Sequence, residues 1–298
     1  MAIQQMLLGV GIPKKTYVDD VFSTYLYTGT GSSRSVTNGI NLSGEGGMVW
    51  IKNRVTASSQ HTIMDTERGA GKQIHTDDSM AQGTGRTDLL SSFNSNGFSI
   101  GGGDRYTNDT NDTYVSYSFR KAKKFFDVVT YTGNGTARTI AHGLGSVPGM
   151  IYIKKISGAE SWAGYHRSFG NTKTFYPDLT VAADNGNDTW NSTTPTATHF
   201  SLKTDGNTNG NGASYVAYLF AHNDGDGEFG EEGDKDIIKC GSYTGNASST
   251  GPTVTLGFEP QFLLIKVAGT SGNWVMFDSS RGLAYGNEDK RFDQNQDD

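Results

Sequence analysis

Two segments, Asp65-Thr-Glu-Arg68-Gly69 and Asp278-Ser-Ser-Arg281-Gly282, place a carboxylate three residues ahead of a guanidinium. Such a pair can form a charged site or cap a turn with an ion pair. Its repetition at matching places favours the structural role. Arg68-Gly-Ala-Gly-Lys72-Gln73 suggests a phosphate loop, but Thr66 stands where the first glycine belongs and Gln73 replaces the Ser/Thr. Asp224, Asp226 and Glu228 alternate as in a calcium loop. Phe229 and Lys235 occupy the positions that need Gly and Glu, which favours a flexible acidic linker. The histidines (His61, His75, His142, His166, His199, His222) fall in no close metal-binding spacing. Cys240 is the single cysteine, cannot form an internal disulfide, and reads as a small strand residue. No catalytic residue, metal or cofactor is expected.

Trp190 is the one candidate binding residue. It lies in the polar insertion Asp184-Asn-Gly-Asn-Asp-Thr-Trp190-Asn-Ser-Thr-Thr, and an aromatic on a polar loop is a hint of sugar stacking. Trp50, Trp162 and Trp274 sit in or beside a repeated strand and are expected in the core.

That repeated strand organises the chain. His142-Gly-Leu-Gly-Ser-Val-Pro-Gly-Met-Ile-Tyr-Ile-Lys154 is a turn followed by an alternating strand, and Leu256-Gly-Phe-Glu-Pro-Gln-Phe-Leu-Leu-Ile-Lys266 aligns with it without a gap. Leu42-Ser-Gly-Glu-Gly-Gly-Met-Val-Trp-Ile-Lys52 is a weaker copy that lacks the proline. Each cassette is preceded by an opening segment, around Tyr27, Tyr131 and Tyr243. Tyr114-Val-Ser-Tyr-Ser-Phe119 and Tyr215-Val-Ala-Tyr-Leu-Phe220 close the first two modules, with Val, the second Tyr and Phe on one, core-facing side. Module 3 has no closing strand, which predicts an open edge and an uncovered face, to be completed by further chain or by another chain. Val49/Ile51, Ile151/Ile153 and Leu263/Ile265 share one face of the cassette strand; Trp50, Tyr152 and Leu264 take the other. A strand bulky on both faces is covered on both sides, by the module's own loops or by a neighbouring chain.

The expected fold is all-β: tandem β-sandwich (jelly-roll-like) modules, two complete and one partial. The boundaries are an N-terminal anchor at 1–20, modules at 21–122 and 123–222, an acidic Gly-rich linker at 223–236, and a partial module at 237–298. Abundant Gly with short apolar runs between Asn/Ser/Thr/Asp clusters fits this class. The net charge of −6 argues against a nucleic-acid partner. No apolar run reaches membrane-spanning length, so no membrane insertion is expected. The basic linker Arg120-Lys-Ala-Lys-Lys124 and its acidic counterpart Asp224–Asp236 could pair across modules or subunits, though such runs are more often simply solvated. Met1, Ile3, Met6, Leu7 and Leu8 form an apolar tip expected to dock into another protein.

Ile238-Lys-Cys-Gly-Ser-Tyr-Thr-Gly-Asn246, Leu256–Lys266, Trp274-Val-Met-Phe-Asp278, Arg281-Gly282, Phe229–Ile238 and the start Met1–Gly9 together resemble a family of repeated β-domain virion proteins of marine tailed phages. The resemblance covers nearly the whole chain. It implies a non-enzymatic tail-fibre component in the phage tail, bound to other tail proteins through its N-terminus. It further implies a homo-oligomer, with a trimer favoured, and distal parts that meet a host-surface glycan. A capsid-decorating or head-associated adhesion protein is the alternative, and a glycan-degrading tailspike a third reading.

Overall fold

The computed structural model describes residues 15–282 and 291–296. The architecture is all-β and sandwich-like. The anchor residues Met1, Ile3, Met6, Leu7 and Leu8 lie outside the described residues.

Module 1 has a five-stranded antiparallel sheet. Its order is opening strand Phe22–Thr28, closing strand Thr113–Arg120, cassette strand Gly47–Asn53, then Thr62–Asp65 and Ile74–His75. A second sheet, Arg34–Thr37, Gly97–Ile100 and Ser92–Asn94, packs against it. Module 2 repeats the plan. Phe126–Thr132 opens, Ser214–Phe220 closes, Met150–Lys155 is the cassette strand and Ala163–His166 follows. Arg138–Ala141 pairs with His199–Leu202 as its second layer. The register repeats as well. Trp50 faces Tyr117 across the cassette and closing strands, and Tyr152 faces Tyr218. Module 1 replaces the missing proline turn by a helical turn, Leu42–Glu45, whose Gly44 N–H is capped by the Asn41 side chain.

The two faces of each cassette strand serve different cores. Val49 and Ile51 pack with Val36, Phe98 and Ile100 between module 1's own sheets, and Ile151 and Ile153 do the same with Phe200 and Leu202 in module 2. The opposite face joins a third core shared by all modules. It contains Trp50, Tyr117 and Phe119 from module 1, Phe126, Tyr152, Tyr218 and Phe220 from module 2, and Trp274 and Met276 from module 3. The Val-x-Tyr-x-Phe face of each closing strand therefore looks into this shared core rather than into its own sandwich. The cover for the second face is the neighbouring module of the same chain.

Module 3 is a three-stranded sheet, Phe262–Lys266, Trp274–Asp278 and Phe292–Asp293. Its opening segment does not form the expected strand: residues 237–256 form no strand, 241–255 are exposed, and Tyr243 is 51% exposed. The reason lies in the ladder. In modules 1 and 2 the opening strand pairs only with the closing strand. Tyr27 stacks on Tyr114 at 5.1 Å and Tyr131 on Tyr215 at 5.2 Å. Tyr243 has no such neighbour among the described residues. Cys240 is accordingly in coil, packed against Gly149, and not in a strand.

The shared core predicts that the modules unfold together. Phe119→Ala should destabilise the chain by about 3–5 kcal/mol. Calorimetry should give one transition with matching calorimetric and van't Hoff enthalpies, before and after the substitution.

Candidate functional site

The repeated charged residues converge at the contacts between modules. The side chains of Asp65 and Arg68 are 0% and 1% exposed. Asp65 Oδ1 accepts the Arg68 N–H at 2.9 Å, which caps the turn, and Oδ2 meets Arg68 Nε at 2.5 Å. Module 2 completes the pair. Tyr218 donates its hydroxyl to Asp65 Oδ2 at 2.7 Å and accepts from Arg68 Nη2 at 3.2 Å. Module 3 repeats the arrangement with a different donor module. Asp278 Oδ1 accepts the Arg281 N–H at 2.8 Å, and Oδ2 binds Arg281 Nε. Tyr117 of module 1 donates to Asp278 Oδ2 at 2.7 Å and accepts from Arg281 Nη2 at 3.2 Å. Burial pushes both tyrosine hydroxyls well up from their ordinary range, which keeps them protonated as donors.

Two further repeated residues run in the same direction. Trp162 Nε1 donates to His75 O at 2.8 Å, and Trp274 Nε1 to Tyr176 O at 3.1 Å. Lys154 Nζ reaches Ser79 O at 2.9 Å, and Lys266 Nζ reaches Thr180 O at 3.0 Å. Module 2 thus grips module 1, module 3 grips module 2, and Tyr117 carries module 1 onto module 3. The cycle is closed. Thr76 Oγ1 to Gln294 O at 3.1 Å adds to the last contact.

Module 2 keeps the turn but changes its chemistry. His166 stands in the place of Asp65, Phe169 in that of Arg68, and Gly170 in that of Gly69. Gly69, Gly170 and Gly282 all have positive φ, at 90°, 69° and 118°, so the backbone turn survives where the ion pair does not. His166 Nδ1 accepts the Ser168 N–H at 3.2 Å in place of the carboxylate cap. Burial lowers its pKa to about 4, so it is neutral near pH 7.

The carboxyls with the largest upward shifts are Asp77, pushed by burial to about 7, and Asp178, pushed to about 6. Sequence reasoning missed both. Shifts of this kind mark catalytic acids when they face a cleft. Here they repeat with the module. Asp77 Oδ2 accepts the His61 N–H and Asp178 Oδ1 the Trp162 N–H, both at 3.1 Å. In module 3 the Trp274 N–H goes to Asn295 Oδ1 at 2.7 Å, a neutral acceptor for the same donor.

Trp190 is 1% exposed, edge-on to Tyr165 at 5.6 Å within module 2's core. The polar insertion folds its tryptophan inward, so the indole is not presented as a sugar platform. The acidic linker pairs in part with the basic one: Lys124 Nζ meets Glu228 at 3.0 Å and the Asp226 carbonyl at 2.7 Å. Asp236 binds the N–H groups of Gly225 and Gly227, which shapes the loop as a turn. Among the described residues no group of three His, Cys, Asp or Glu side chains is placed to hold a metal.

Residues 18–298 match a domain of unknown function, DUF7483. The chain belongs to the DUF7483 family. No curated protein matches it, and no solved structure does. The matched range takes in all three modules, so the family domain is the whole cycle and not a single sandwich.

Tyr218→Phe and Tyr117→Phe should each destabilise the chain by about 1–3 kcal/mol in urea unfolding, because a buried carboxylate loses a donor. Arg68→Met should cost more, about 3–5 kcal/mol, since it strands the Asp65 charge. Asp77→Asn tests the pH dependence. The folded pKa lies above the unfolded one, so wild-type stability from this group is full at low pH and is lost as pH rises through about 7. The variant should therefore gain about 2 kcal/mol relative to wild type between pH 5 and pH 8.

Proposed function

We propose that the chain is a structural component of a tailed-phage virion, most directly a tail fibre. The observation that carries the reading is the closed cycle of contacts between modules, two of them tyrosine-capped ion pairs. The charged residues that recur are buried and bonded to the next module, where they hold a scaffold together. Gly-, Asn-, Ser- and Thr-rich loops remain outside, free to vary without disturbing the core. The resemblance of the cassettes and of Met1–Gly9 to phage virion proteins supports a virion location.

In this reading the unit of a fibre shaft is the three-module body. The N-terminal anchor, through Met1, Ile3, Met6, Leu7 and Leu8, docks onto tail proteins, and three chains associate to form the fibre. Distal loops contact a host-surface glycan through residues other than Trp190. The chain works as a scaffold and not as a glycan-cleaving enzyme.

Gold-labelled antibody against the chain, imaged on intact virions, should mark the tail. Label on the head would replace this reading by capsid decoration. Incubation with host polysaccharide should release no reducing sugar.

A further inference from the structure

Strand register puts three residues in one structural place. Ile51 pairs with Thr62, Ile153 with Ala163 and Ile265 with Val275, so His61, Trp162 and Trp274, each one residue earlier, are equivalent. Each gives its backbone N–H to a matching side chain, Asp77, Asp178 or Asn295. The two indoles also reach a carbonyl of the preceding module. Of the three contacts between modules, the one between modules 1 and 3 carries a histidine in this place.

The His61 ring is buried in that contact. Its Nδ1 accepts the Trp50 indole N–H at 3.1 Å, so its own proton is on Nε2 and the ring is neutral. It meets the Phe292 ring of module 3 nearly at right angles, at 5.8 Å. Two cations share that phenylalanine: the Arg281 guanidinium lies 3.9 Å and the Lys52 ammonium 5.9 Å from its ring centre. Burial first, then Lys52, Arg281 and His75, holds the His61 pKa well below the usual histidine range. Asp77 is the carboxyl beside it. On the module 3 side, Asp278 is bound by Arg281 and Tyr117, and Asp293, next to Phe292, is bound by Asn273.

A protonated His61 does not fit this place. Nδ1 would turn from acceptor to donor against the Trp50 N–H, and a third buried cation would join Lys52 and Arg281. The indoles of Trp162 and Trp274 do not titrate and meet no such conflict.

We propose that the contact between modules 1 and 3 is an acid-operated clasp: protonation of His61 opens it, and the chain passes from a closed cycle to an open arc still joined at its other two contacts. Opening brings the imidazolium to water and bares the Trp50 and Tyr117 side of module 1. Asp77 does not oppose it, because module 2 still grips the same loop at His75 O and Ser79 O and keeps that carboxyl covered. The closed state has the depressed pKa and the open state the ordinary one of about 6.5. The clasp is therefore at full strength above that pH and weakens as pH falls.

Amide exchange of the intact 298-residue chain, corrected for the intrinsic effect of pH on exchange, tests this. From pH 6 to pH 5, opening at 59–65 and 291–296 should become about eightfold more frequent, while 163–166 and 214–220 keep their protection. His61→Asn offers the Trp50 N–H an acceptor that does not titrate and should abolish the response. Asp77→Asn should keep it. An unresponsive wild type, an equal response in His61→Asn, loss of the response in Asp77→Asn, or equal loss of protection in all modules overturns the proposal. If His61→Asn lacks native near-UV dichroism at neutral pH, NMR of the histidine ring nitrogens in the unaltered chain decides. The signal of the Nε2-protonated ring should vanish in step with the exchange, and a ring that gains its proton while 291–296 stays protected overturns the proposal.

Discussion

Phe119 and Phe220 touch where the sheets of the first two modules converge, and Phe262 from the third lies 6.1 Å from Phe119. This apolar meeting point is the constraint under which the rest is arranged. Each cassette strand has large side chains on both faces, and one sandwich can bury only one of them. The second faces bury each other at a common centre. An isolated module would leave its aromatic face in water, at a cost of roughly 25 cal/mol for each Å² of apolar surface.

The polar contacts give that centre its geometry. Apolar burial is not directional and would tolerate several relative placements of the modules. A buried carboxylate is far less tolerant, because it needs its donors within hydrogen-bond reach. Asp65 finds its last donor on Tyr218, and Asp278 on Tyr117. The two tryptophan N–H groups and the two lysines reach carbonyls on the preceding module in the same sense. Burial against a shared core sets how much the assembly gains, and these bonds select one arrangement.

Much of this was legible in the sequence, and the remainder failed for identifiable reasons. The repeats, the alternation and the turn residues are local, so the all-β class could be read directly. Two-faced bulk at Trp50, Tyr152 and Leu264 signalled a second cover, but what covers it depends on how modules pack, and no local pattern encodes that. The Asp-x-x-Arg pairs read correctly as structural. Their tyrosine partners are equally repeated, at Tyr117 and Tyr218, but the pattern does not say which tyrosine meets which Asp–Arg pair; the packing of the modules decides it. Trp190 misled because polarity of the surrounding insertion says nothing about where one side chain turns. The segment around Tyr243 has the sequence of an opening strand, yet strand formation needs a ladder partner, and none is adjacent among the described residues.

The direction of the grip has a bearing on how such a domain can grow. Three repeats that each hold the one before, with the first holding the last, bring every repeat into contact with both others. Duplication of a single sandwich would add a unit with no neighbour to hold, whereas duplication of the entire triplet would preserve every contact. Lengthening by whole triplets, or by insertions in the surface loops, would leave these contacts intact.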